Sequence, residues 1–142
     1  MRKMSLFAIL IIILMLSACS SEPPPITKES VEKKTKENFT KEEVKNIFGE
    51  PKIITNDKKY EIWLYDSKET DKSPETVEFD PAFLPFDKIL SEDIEYVLEV
   101  MLLDDKALQF SYFYKKDNNV WVYRTNGDKK SAIDEQATTL DE

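Results

Sequence analysis

Cys19 is the only thiol in this 142-residue chain, and it stands directly after Leu16-Ser17-Ala18. A cysteine offers the strongest nucleophile among the side chains, and this one stands behind small residues at the end of an apolar run. A single cysteine leaves no intrachain disulfide, so the folded part is stabilised by its core alone. Histidine, the commonest general base and the commonest metal ligand, is absent. The 28 Asp and Glu residues fall mostly in turns and tails, where no spacing singles out a hydrolytic pair. Asp104-Asp105 and Asp117-Asn118-Asn119 offer oxygens to a cation. They lack the alternating ligands, central glycine and closing glutamate of a calcium loop. Turn chemistry accounts for both, and Asn38-Phe39-Thr40 reads as a helix cap rather than a glycosylation site. No catalytic residue, metal or cofactor is expected.

The chemistry at Cys19 depends on the residues that lead to it. Arg2 and Lys3 give a positive start, and residues 6–16 form an apolar core. Eleven residues make a helix of about 16 Å, too short for a hydrocarbon layer of about 30 Å. The stretch reads as a removable export leader, and residues 1–18 resemble the signal peptides of bacterial lipoproteins. That resemblance implies a lipid on Cys19 and a place at a bacterial cell membrane, on its extracytoplasmic face. Ser20 is not acidic, which favours the outer membrane where the host has one. Loss of Arg2 and Lys3 with the leader takes the formal charge from −8 to −10. Such a surface is repelled by anionic headgroups and by nucleic acid, so the membrane is expected to be held through the lipid.

Residues 19–38 hold Pro23-Pro24-Pro25 and a Lys/Glu/Ser/Thr stretch with only Ile26 and Val31 as aliphatic residues. They read as a flexible tether reaching roughly 25 Å, part of it a frayed helix where Glu29–Lys33 and Glu32–Lys36 are spaced i,i+4. Thr40 and Glu43 then have capping-box spacing, with Phe39 and Val44 as a hydrophobic staple. Val44, Ile47 and Phe48 form a helical stripe, which Gly49 and Pro51 end. Alternating segments follow at 53–55, 60–65, 94–103, 107–114 and 120–124. Ile94, Tyr96, Leu98, Val100 and Leu102 are expected on one face, as are Leu108, Phe110, Tyr112 and Tyr114. The expectation is an α+β domain over 39–125, with one or two N-terminal helices packed on a three- to four-stranded antiparallel meander sheet. Residues 66–92 read as an insertion loop, and 126–142 as a polar acidic tail.

The run Thr40-x-x-Glu43-Val44-x-x-Ile47-Phe48-Gly49-x-Pro51, followed by Trp63-x-Tyr65, resembles the helix–Gly-x-Pro–strand signature of the SmpA/OmlA small-lipoprotein family. Val120-Trp121-Val122-Tyr123 is similar to that fold's closing strands. The resemblance spans residues 39–124 and implies helices on one face of a three-stranded antiparallel sheet, a layout shared with β-lactamase-inhibitor-like domains. It also implies a protein-binding role, in one version as an accessory subunit of outer-membrane protein assembly.

Two groups of residues are candidates for meeting a protein partner. Trp63 and Trp121, with Tyr65 and Tyr123, form either an aromatic patch or the cover of a small core. Phe79, Phe83, Leu84 and Phe86 stand among prolines in the insertion, and act either as a stiffened apolar hook or as a flap on the sheet. The composition names no partner.

Overall fold

The structure is a computed structural model and describes residues 24–68, 74–78 and 84–137. Along the chain lie α1 (Lys28–Lys34), α2 (Lys41–Phe48), β1 (Ile53–Asp57), β2 (Tyr60–Asp66) and β3 (Glu75–Glu78). They are followed by α3 (Phe86–Leu90), β4 (Tyr96–Leu103), β5 (Lys106–Lys116), β6 (Asn119–Thr125) and β7 (Ile133–Gln136).

Two tight turns set the frame. Asp104 and Asp105 have φ of 49° and 64°, and Asp117 and Asn118 have 50° and 61°. Two successive left-handed residues make the turn whose twist matches paired strands, and Asp and Asn tolerate it better than most side chains. The β4–β5 and β5–β6 hairpins follow directly. These carboxylates therefore act as turn formers, and no cluster with metal-ligand character occurs among the described residues.

The expected α+β architecture is overturned. The described residues form a mostly-sheet fold with one seven-stranded mixed sheet, ordered β3-β1-β2-β4-β5-β6-β7, and three short helices. β3 lies parallel to β1, and every other pair is antiparallel. The strands that the alternation rule missed are the two at the margins. Glu75–Glu78 sits inside the stretch read as an insertion, and Ile133–Gln136 inside the stretch read as a tail. Charged residues in both edge strands, Glu75, Glu78, Asp134 and Glu135, hide them from an apolar pattern.

Both faces of the sheet are covered. On one, Val31 of α1 and Val44 and Phe48 of α2 pack on Trp63, Tyr65, Leu98, Val100, Phe110 and Tyr112. On the other, Ile89 of α3 and Ile94 pack on Ile62, Leu64, Val97, Phe113 and Val122. Ile94 thus leaves the stripe expected with Tyr96, because it precedes β4 and closes the α3 turn through an N–H bond to the Lys88 carbonyl at 3.2 Å. Leu108 leaves its stripe as well. A bulge opposite Met101 and Leu102 makes it the extra residue. Ala107 takes the core position, and Leu108 is 40% exposed.

α2 forms as its sequence dictates. The Thr40 hydroxyl accepts from the Glu43 N–H at 3.2 Å, and the Glu43 carboxylate accepts from the Thr40 N–H at 2.9 Å. Gly49, at φ 84°, ends the helix in a conformation suited to glycine. α1 is the larger departure, since it lies within the stretch read as tether. Thr27 and Ser30 cap it reciprocally, and Val31 is fully buried. One valine and Ile26 suffice to dock it, because the sheet supplies the apolar partner that the segment lacks alone.

Candidate interaction surface

α1 fixes one end of the sheet, where β4 begins and β5 stops. Tyr96 pairs with Tyr114 there, and Tyr96 and Tyr112 stack with centroids 5.3 Å apart. The Lys28 ammonium lies 5.4 Å from the Tyr114 ring and 5.6 Å from the Tyr123 ring. It is ion-paired with Asp134 of β7. The Tyr114 hydroxyl donates to the other Asp134 oxygen at 2.8 Å. Trp121 adjoins this group, cross-strand from Tyr114 and Gln136. It is half-buried, with the Lys116 ammonium 4.0 Å from its ring.

Charge and burial reinforce this arrangement. The Asp134 hydrogen bond holds the Lys28 ammonium above its ordinary pKa, against the cost of burial. Burial alone pushes Asp134 up, but its bonds to Lys28 and Tyr114 outweigh it and leave the carboxyl below its usual range. Burial pushes Tyr96 up to about 12, with Asp66 adding to the shift. These phenols stay protonated and act as apolar bodies with a polar tip.

On the opposite face, Glu99 is half-buried between Leu64 of β2 and Ser111 of β5. Burial raises its carboxyl, while Arg124 and a hydrogen bond from Ser111 oppose the rise. The Gln109 amide donates to the Ser111 hydroxyl at 3.1 Å. At the end marked by Tyr96, a shallow cleft of about 510 Å³ is lined by Ile89, Glu92, Ile94 and Lys115 among others. The Lys115 ammonium spans its wall, donating to the Leu90 carbonyl at 3.0 Å and to Glu92 at 2.7 Å.

The residues expected to meet a partner are spread through the fold. Trp63 is 2% exposed; its indole N–H donates to Glu61, and Lys45 covers its ring at 5.4 Å. It is a core residue. Tyr65 is buried too, its hydroxyl donating to the Gly49 carbonyl at 3.1 Å. Leu84 and Phe86 pack against the α3 core, with Phe86 centred 5.5 Å from Phe113. Phe79, Phe83 and Cys19 lie outside the described residues. Trp121 is half-buried, and its indole N–H is buried with no hydrogen-bond partner among the described residues. The exposed Ile133 of β7, at 43%, was missed because it stands alone among charged residues. No described helix is long and apolar enough to cross a membrane.

Compared with models of known families, with curated proteins and with solved structures, the chain matches none. The SmpA/OmlA resemblance therefore stands on its quoted residues alone, and the three-stranded sheet it implies is not the sheet observed.

Proposed function

We propose that this chain is a bacterial lipoprotein, held on the extracytoplasmic side of a membrane through lipid on Cys19, whose sheet domain is a non-catalytic protein-interaction module. The observation that carries the anchoring is the order Arg2-Lys3, apolar residues 6–16, Leu16-Ser17-Ala18, Cys19. Two acyl chains, at roughly 0.8 kcal/mol per buried methylene, give stable attachment where one is marginal.

The interaction reading rests on what the fold leaves open beside Trp121. Among the described residues β7 is paired with β6 only, all four of its residues are exposed, and Ile133 is among the most exposed large apolar side chains. An edge strand with an aromatic beside it suits an extended segment of another protein, held by main-chain hydrogen bonds. An accessory role in outer-membrane protein assembly draws no support from the fold.

Fractionation of cells making the full chain or Cys19→Ser tests the anchoring. The parent is expected in membranes and the variant in the soluble fraction. Equal membrane association would overturn the lipid anchor.

A further inference from the structure

The docked N-terminal segment determines how an anchored domain stands on its membrane. Ile26 is buried in the same core as Tyr96 and Tyr112. Lys28 is tied to Asp134 beside Tyr114. The chain therefore joins the sheet at the end where β4 begins. From there α1 leads away from that end, and just past it the Gly127 α-carbon meets the Lys36 backbone so closely that a Cβ would lie 2.1 Å from its carbonyl carbon.

Six residues, 20–25, separate Cys19 from Ile26. Seven Cα steps span at most about 25 Å even when fully extended. β5 runs the length of the sheet in 11 residues, or about 37 Å at roughly 3.4 Å per residue. With the domain inverted, Ile26 would stand farther from the bilayer than the leash can stretch.

We propose that the end carrying Tyr96, Tyr114, Trp121 and the α3–β4 connection faces the lipid headgroups, and that the turns at Lys58-Lys59 and Asp104-Asp105 point away from them. This rests on the reading of Cys19 as lipidated. The side chains at the membrane-facing end suit that position. Tyr114 and Trp121 are half-buried there, such amphipathic rings favour the headgroup layer, and Lys28 and Lys116 lie on them. The edge of β7, unpaired among the described residues, then runs upright from the bilayer along one side.

The test uses the full lipidated chain in phosphatidylcholine vesicles, where Cys19 has no free thiol. Asp93→Cys places a fluorophore beside β4, and Lys59→Cys places one at the opposite end. Nitroxide on the lipid headgroups is expected to quench the first at least threefold more than the second. Equal or reversed quenching of vesicle-bound protein would overturn the orientation. Failure of the parent to float with vesicles, or flotation of Cys19→Ser, would instead overturn the lipid anchor. Inserting about 20 Gly/Ser residues between Glu22 and Pro23 should equalise the two probes, and a persistent difference would show that leash length is not what orients the domain.

Discussion

Lys28 and Asp134 form an ion pair across 106 residues of sequence, fastening the first turn of α1 to the last described strand. Both side chains are about one-third exposed, so solvent discounts the pair to about 1 kcal/mol or less. Lys28→Ala and Asp134→Ala should each lower stability by that order, and their double-mutant cycle should show coupling. The pair should also shape the pH profile. Asp134 is depressed in the folded state, so its contribution is present above the unfolded value near 3.9 and lost as pH falls through the folded one. Lys28 is raised, so its contribution is present below about 10.4 and lost as pH rises through the folded value. Denaturant melts across pH 2–12 check both limbs.

Val31 decides whether residues 28–34 are tether or domain. It is fully buried against the sheet, so Val31→Ala should cost about 2 kcal/mol in a thermal or urea melt. Cleavage by trypsin at Lys33, Lys34 and Lys36 should accelerate with it. An unchanged melt and digestion pattern would return this segment to the tether.

Gly127 is constrained twice, by φ of 96° and by the Lys36 backbone at 2.1 Å from any added Cβ. Gly127→Ala must push the α1–α2 connection away from the sheet, and a loss of roughly 2 kcal/mol or more is expected. Thr40→Ala removes a cap and should cost about 1 kcal/mol. The contrast between a backbone clash and a lost cap is readable in parallel melts.

Glu99 is the case in which ionisation works against the fold. Its carboxyl is raised by burial, so the folded state holds its proton more tightly than the unfolded chain does. The resulting cost is full above the folded pKa, shrinks as pH falls through it, and vanishes below about 4.3. Glu99→Gln should therefore raise the melting temperature at pH 7 and leave it unchanged near pH 3. A lower melting temperature at pH 7 would show that attraction to Arg124 outweighs desolvation.

Strong local signals were legible in the sequence. Thr40 and Glu43 cap α2 as their spacing dictates, and the Asp104-Asp105 and Asp117-Asn118 turns fall where two β patterns meet. Long-range structure was not legible. Val31 looks isolated until β5 is placed under it, and Ile133 looks like part of a tail until β6 offers its edge. The bulge that expels Leu108 shifts a period-two pattern by one residue, which alternation cannot anticipate. For the candidate surface, Trp63 and Trp121 read alike in sequence because each begins a Trp-x-Tyr pair. The first is buried in the core with α2, while the second is half-buried under Lys116.

The central claim is that Cys19 carries the lipid that holds this domain to its membrane. Mass spectrometry of the protein purified from native membranes measures it directly. The account predicts an N-terminal peptide that begins at Cys19 and bears a diacylglyceryl group. A chain retaining Met1, or an unmodified Cys19 in the membrane-derived protein, would contradict it.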